Sequence, residues 1–302
     1  METNPILNAA LPAAIALVMC GIGLHLTLAD FRSIARHPRS VLVGLAGHYL
    51  LLPLLGFGIA WLLRLPPVLA VGLVLIAACP SGTMANTLTF LARGNVALGV
   101  SLSVISALVS FLSIPLLVGA ATIVFGGQGQ QVPLPVAGMV RHLAGVLLVP
   151  ILLGMAIRAG APVAARRAGR WVSRFAVLLL VALIVGLAIS ERAGLPDALA
   201  QTGPAALMLA CAAIGGGYAL GRLARLSPRD VLTVSLEVGV QNAALAILIA
   251  LSVLKSLPAA IPGAMYGLLM YAPALAVVAI GRRRLPAVEF AGDTGAALRD
   301  LT

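Results

Sequence analysis

An all-α polytopic membrane protein of about nine transmembrane helices is the fold class this sequence predicts, and three observations predict it. Of its 302 residues, 61% are hydrophobic and only 10% are charged, and the mean hydropathy is +1.09. Soluble domains run at about 45–50% apolar and about 25% charged, so this chain has too few charges to cover itself in water. Apolar runs of about 20 residues, enough to span a bilayer core, recur between Gly-, Pro- and Arg-rich breaks. Basic residues crowd into alternate connections between those runs. The composition by itself excludes a soluble enzyme, a nucleic-acid-binding domain and a disordered protein.

The spans fall at roughly 5–28, 41–63, 67–92, 96–124, 135–158, 171–190, 203–223, 229–254 and 258–281. The first opens on Met1-Glu2-Thr3-Asn4, which lacks the basic residue of a signal peptide, and Gly23-Leu24-His25-Leu26-Thr27 is no cleavage site. It reads as an uncleaved anchor, with His25 a structural residue near its end. The second carries His48 beside Tyr49 and close to Pro53, where a buried packing histidine and a proton relay are equally good readings. The third is interrupted at Ala78-Cys-Pro-Ser-Gly-Thr-Met-Ala-Asn-Thr87: Pro80 removes a backbone donor, Gly82 eases unwinding, and two hydroxyls and Asn86 crowd the same stretch. Arg93-Gly94-Asn95 then reads as a tight cytoplasmic turn. On the fourth span Ser101, Ser103, Ser106, Ser110 and Ser113 are expected to be able to bond back to their own helix. Arg141-His142 opens the fifth and snorkels to the outer interface. In the seventh, Gly215-Gly216-Gly217 reads as close helix packing, because no Lys-Ser/Thr follows to make a phosphate loop. The eighth contains Glu237, the one carboxylate well inside any span, followed by Gly239, Gln241 and Asn242 in a poor helix-forming stretch. Cys20, Cys79 and Cys211 all sit in apolar stretches and read as free thiols.

Charge sets the orientation. Lys and Arg total 20 against 9 Asp and Glu, a net charge of +11. Sixteen of the 20 sit in one set of connections: Arg32, Arg36 and Arg39; Arg93; Arg158, Arg166, Arg167, Arg170 and Arg174; Arg222, Arg225 and Arg229; Arg282, Arg283, Arg284 and Arg299. The other set holds Arg64, Arg141, Arg192 and Lys255. The positive-inside rule places the N-terminus in the periplasm and the C-terminus in the cytoplasm of a multi-pass inner-membrane protein. A nucleic-acid patch is the poorer account of the same excess. Residues 285–302, with Glu289, Asp293 and Asp300, are expected to be a disordered cytoplasmic tail. The preference for Arg (19) over Lys (one) points to a GC-rich bacterial genome.

Two helix breaks, in the third and eighth spans, cross the membrane in opposite directions, as paired broken helices do in inverted-repeat carriers. Half-helix N-termini suit an anion, whereas unwound carbonyls and a carboxylate suit a hard cation such as Na⁺. A carrier for a small anion coupled to a cation follows from these residues.

Gly21-Ile-Gly-Leu-His-Leu-Thr-Leu-Ala-Asp-Phe31, Cys79-Pro-Ser-Gly-Thr-Met-Ala-Asn86 with Leu91-Ala-Arg-Gly-Asn-Val-Ala-Leu98, and Glu237-Val-Gly-Val-Gln-Asn242 resemble the bile acid:sodium symporter family, over about residues 10–284. The resemblance implies a transmembrane domain over 1–284, with a core (roughly 41–124 and 203–281) holding two broken, crossing helices and a panel (roughly 5–28 and 135–190) moving against it. It implies a first cation site at the positions of Ala85, Asn86, Gly99, Ser103 and Glu237, where Ala85 and Gly99 replace hydroxyl ligands. It implies a second at Glu237, Gln241 and the carbonyls of Val238 and Val240, with His48 in place of a glutamine. A neutral imidazole is a poor Na⁺ ligand and a good proton carrier. Substrate contacts implied by the resemblance are Gly82, Thr83 and Asn242 at the breaks, with Met270 and Tyr271 standing where some members carry a polar pair.

The expected function is therefore secondary active transport of an organic anion, a bile-acid-like molecule or small carboxylate, by alternating access with Na⁺ coupling. The expected partners are that anion, the coupling cation and the bilayer, with no nucleic acid and no cofactor beyond Na⁺ or H⁺. Proton-coupled or sodium-independent transport is the alternative. An intramembrane enzyme lacks a converging nucleophile–base pair or metal set, and a ligand sensor lacks a signalling domain.

Overall fold

Inside lipid every backbone polar group must be satisfied by the protein itself, so apolar runs fold as helices and prolines decide where the helices break. The computed structural model describes residues 5–27, 38–126, 136–190 and 195–286, and these are helical apart from short connections and one isolated backbone pairing. Arg32, Arg36, Arg192, Arg299 and the expected tail beyond Pro286 lie outside the described residues. In chain order the helices are α1 (Pro5–His25), α2 (Pro38–Ala46), α3 (Leu52–Leu62), α4 (Pro67–Ala78), α5 (Thr83–Leu91), α6 (Val96–Phe125) and α7 (Val136–Leu143). They continue as α8 (Val149–Gly160), α9 (Pro162–Ser190), α10 (Leu195–Leu223), α11 (Pro228–Gly239), α12 (Ala243–Ser252), α13 (Ile261–Leu269) and α14 (Tyr271–Arg284).

Among the described residues six stretches are long and apolar enough to cross a membrane: Pro38–Leu62, Val96–Phe125, Ala137–Gly160, Pro162–Gly186, Leu199–Leu223 and Pro258–Arg284. Leu11–His25, Pro67–Ala78 and Ala243–Ser252 are shorter apolar helices. Two helices begin earlier than hydropathy suggests, α9 at Pro162 and α10 at Leu195. Hydropathy marks where lipid begins, whereas Ala and Arg continue a helix well into the polar region. Two π-helical segments, Gly47–Leu51 and Ala144–Leu148, were not expected from the sequence. Each runs into a proline (Pro53, Pro150) one or two residues into the next helix, whose missing N–H disturbs the i→i−4 ladder and leaves room for the wider turn.

Both anticipated breaks are present. α4 stops at Ala78 because Cys79, the residue before Pro80, is held extended at φ −70° and ψ 154°. Gly82 is also extended, and α5 starts after it. On the other side α11 stops at Gly239, Val240 is extended, and Asn242 starts α12 by accepting the Leu245 N–H on its side-chain oxygen at 3.1 Å. The unwound strands satisfy one another: the Gly82 N–H donates to Val240 O and the Asn242 N–H to Pro80 O, each at 2.9 Å.

Around this crossover the packing is dense. α4 is buried continuously from Leu69 to Ala78, α11 from Asp230 to Gly239 and α12 from Ala243 to Ala250. A helix apolar all round that is also covered by protein belongs to the interior of the bundle. α10 packs on α11 and α13, and α4 packs on α3 and α6. Gly217 lies against the backbone of Ser235 and Val234, where a Cβ would crowd α11, so close helix packing is the role of Gly217, whereas a Cβ on Gly215 would meet nothing. α1 packs chiefly on α8 and α9, and also reaches α12. There Gly23 and Gly154 face each other across the contact, and a Cβ on either would strike the backbone of the other helix. α9 turns large side chains such as Leu178, Val181 and Ile189 outward, as a lipid-facing helix does.

Candidate functional site

Glu237 is only 2% exposed and sits on α11, one turn before the break. Its Oε2 accepts from the Ser103 hydroxyl of α6 at 2.9 Å. The Ser103 oxygen in turn accepts from Asn86 Nδ2 of α5 at 2.9 Å and from the Ser81 hydroxyl at 3.1 Å. Ser81, in the first break, is held by Ser106 through both its hydroxyl and its backbone N–H. With its amide nitrogen committed to Ser103, Asn86 aims its oxygen the other way. Asn86 Oδ1 and Glu237 Oε1 are both buried without a hydrogen-bond partner.

These two oxygens face the same point. A Cβ built on Gly99 would lie 2.8 Å from Asn86 Oδ1 and 3.2 Å from Glu237 Oε1, so the missing side chain of Gly99 opens a notch between two free acceptors. Buried acceptors are costly when unsatisfied, and two of them converging, one on a carboxyl group, is an arrangement that a cation taking oxygen ligands would satisfy.

Residues expected at a second cation site are arranged differently. His48 Nε2 lies 3.1 Å from Cys79 O, and since a carbonyl can only accept, that nitrogen carries the proton. Gln241 Nε2 donates to Val238 O at 2.8 Å, and Val240 O receives the Gly82 N–H. Gln241 Oε1 is the free acceptor left there. His48, Val238, Val240 and Gln241 thus serve as hydrogen-bond struts of the crossover, while Asn86, Ser103 and Glu237 converge around the Gly99 notch.

Two cavities meet at the first break. One, about 160 Å³, is lined by Gly82, Thr83, Asn242, Met270 and Tyr271, with Val18 of α1 opposite. The other, about 430 Å³, is lined by Ser81, Asn86, Thr87 and Ser103 and also by His25, which the sequence alone marked as structural. Thr83 and Met84 belong to both. Among the described residues no Lys or Arg lines either one. The helix ends flanking the crossover differ, because Asn242 caps α12 whereas no side chain caps α5 at Gly82. The uncapped N-terminus of α5 therefore offers backbone N–H groups to an anion in the shared space.

Three features lay beyond the sequence reading. Ser81 stood inside a motif already marked but gave no sign of reaching Ser103 and Ser106. Gly99 read as a lost ligand, whereas in the fold it shapes the notch. Asp230 read as a helix-end acid, yet it is buried, accepting from Ser40 Oγ at 2.9 Å and Asn95 Nδ2 at 2.8 Å. The Asn95 N–H also donates to Thr233 Oγ1 at 2.8 Å, and Arg93, in the left-handed region at φ 57°, donates to the carbonyls of Arg282 and Leu285. The expected turn at Arg93-Gly94-Asn95 is thereby clamped to α11 and α14. Ser101 and Ser110 bond back to Ala97 O and Ala107 O as expected, but Ser113 instead reaches Ala78 O of α4 at 3.4 Å, because α4 packs close enough to offer its last carbonyl.

Comparison with known proteins identifies the family of the chain. The profile of the Sodium Bile acid symporter family matches residues 12–195. The Uncharacterized sodium-dependent transporter YocS of Bacillus subtilis is 30% identical over 254 residues, 82% of this chain and 76% of that protein. The Probable sodium/metabolite cotransporter BASS2, chloroplastic, of rice is 33% identical over 276 residues, 89% of this chain. Human Sodium/bile acid cotransporter 4 is 29% identical over 241 residues, 78% of this chain. The chain spans 63% of the rice protein's length and 54% of the human one's. These relatives are named as transporters, not as enzymes. A multi-pass chain of apolar helices, it belongs to the sodium bile acid symporter family.

Proposed function

We propose that this chain is a secondary active transporter that moves an organic anion by alternating access, driven by Na⁺ held between Asn86, Glu237 and Ser103. The observation that carries the proposal is the pair of unpartnered buried oxygens, Asn86 Oδ1 and Glu237 Oε1, converging on the Gly99 notch. The anion occupies the space around Thr83, between the uncapped end of α5 and the wall of Met270 and Tyr271. Ser103 and Ser81 link the two places, being bonded into the cation network and lining the larger cavity. A single charge on an apolar body, a bile-acid-like molecule or a small carboxylate, suits a cavity with few polar groups and no Lys or Arg in its lining.

In this proposal the polypeptide crosses the inner membrane nine times, α4–α5 and α11–α12 counting as one interrupted span each. The two halves are inverted repeats. Three matched pairs support that reading: the left-handed residues Arg64 and Arg225 each precede Leu just after a helix, the left-handed Arg93 and Lys255 each follow a broken helix, and Ser81 pairs with Gln241. α1, α8 and α9 make the moving panel, and the helices around the crossover make the core. Arg93 bonds to the carbonyls of Arg282 and Leu285, and Arg229 to that of Pro286, so connections assigned to the cytoplasm share one end of the molecule.

Proton-coupled or sodium-independent transport is the second reading, favoured by His48, whose N–H points at Cys79 O where a cation would need a lone pair. Melting of the purified protein with Na⁺ titrated against K⁺ separates the two. Stabilisation by Na⁺ alone that disappears in Glu237→Gln supports sodium coupling. Equal melting in both salts overturns it. Uptake of labelled taurocholate and pyruvate into proteoliposomes, with and without a Na⁺ gradient, then tests transport.

A further inference from the structure

Away from the crossover, a cavity of about 200 Å³ opens between α10, α11 and α14 at the end of the molecule that carries Arg93 and Arg282. Arg222 and Arg284 line it, and the guanidinium of neither is hydrogen-bonded or ion-paired to a described residue. One helical turn before each arginine stands an uncharged side chain, Tyr218 before Arg222 and Ile280 before Arg284, with Val231, Leu232 and Leu285 completing the wall. Among the described residues no acid lines the cavity: Asp230, beside Val231 of its wall, spends both its oxygens on Ser40 and Asn95. Arg229 is likewise committed, to Pro286 O.

We infer that this cavity is a binding site for the phosphate headgroup of an anionic phospholipid. Two guanidinium groups at the mouth suit a phosphodiester, which they can meet with paired, charge-assisted hydrogen bonds. The order of the lining, charge and then aromatic or aliphatic surface one turn away on each helix, matches an amphiphile lying along the helices and not a freely soluble anion. Basic pockets between helices at a cytoplasmic membrane surface are where anionic lipids are held. The inference uses the proposed topology but not the transport cycle. A lipid here would brace α10, α11 and α14, whose packing sets the position of Glu237.

The test compares the full chain in nanodiscs of phosphatidylcholine alone and of phosphatidylcholine with phosphatidylglycerol, reading melting temperature and, after gentle release, lipid adducts by native mass spectrometry. Phosphatidylglycerol should raise the melting temperature and be retained as an adduct. The double variant Arg222→Gln/Arg284→Gln should bind it about thirtyfold more weakly, the loss expected for two arginines at a lipid surface, while keeping its Na⁺ response. Arg225→Gln/Arg282→Gln removes the same charge outside the cavity and should keep most of the binding. Equal loss in both double variants would show bulk charge attraction and overturn the site. So would equal stabilisation by phosphatidylcholine alone, or protection in detergent by inorganic phosphate that displaces the lipid.

Discussion

Ser81 and Gln241, far apart in the chain, pair as antiparallel backbone at the point where two broken helices cross. That pairing turns two local weaknesses into one site. Each break frees backbone groups that lipid cannot satisfy, and each supplies the partners the other lacks. Ser81 then joins the crossover to Ser103, and Gln241 joins it to the cavity shared with Thr83 and Asn242.

Gly99→Ala should abolish the Na⁺-dependent rise in melting temperature while changing the melting point in K⁺ little. The added methyl occupies the notch at 2.8 Å from Asn86 Oδ1 and 3.2 Å from Glu237 Oε1, pushing a flexible amide aside without touching backbone. A Na⁺ response of normal size in this variant would place the cation elsewhere.

Ser103→Ala removes the hydroxyl that joins Asn86, Ser81 and Glu237. A hydrogen bond to a charged group contributes about 1.5–3 kcal/mol, so Na⁺ affinity should fall about tenfold or more. Isothermal titration of Na⁺ into the detergent-solubilised variant measures it.

Na⁺ and protons should compete. A carboxylate must be ionised to hold a cation, so apparent Na⁺ affinity falls as pH falls and recovers as it rises. Melting curves across a pH and Na⁺ grid would show the midpoint for Na⁺ moving to higher concentration in acid, and Glu237→Gln should flatten the grid. A Na⁺ midpoint independent of pH would argue against Glu237 as the ligand.

Thr83→Val keeps the size of a residue that lines both cavities and removes its hydroxyl. Anion uptake should weaken about tenfold, a charge-assisted hydrogen bond's worth, with the Na⁺ response intact. Loss of both together would mean that Thr83 belongs to the cation site.

Asp230→Ala should destabilise the protein by about 1–3 kcal/mol, because Ser40 and Asn95 are left as donors without an acceptor. Its Na⁺ midpoint should stay near that of the wild type. Denaturant unfolding beside the Na⁺ titration checks both halves of the expectation.

Much was legible from the sequence because lipid imposes its rules locally. Composition and run length specify helices, since only a helix satisfies its own backbone in hydrocarbon. Pro80 and Gly82, and the run from Gly239 to Asn242, mark the breaks, since a missing donor or a poor helix former acts within one turn. Glu237 stands out by itself, because a charge at that depth has no cheap explanation. What the tertiary structure decided is which groups meet. Asn86 points its oxygen at Glu237 because Ser103 of another helix takes its nitrogen, and Gly99 matters for the space it leaves between them. His48 became a strut on Cys79 O, Asp230 a buried clamp, and His25 part of a cavity wall. Each of those outcomes depends on a neighbour contributed by a distant segment, and hydropathy, which is read along the chain, carries no record of which helices pack together.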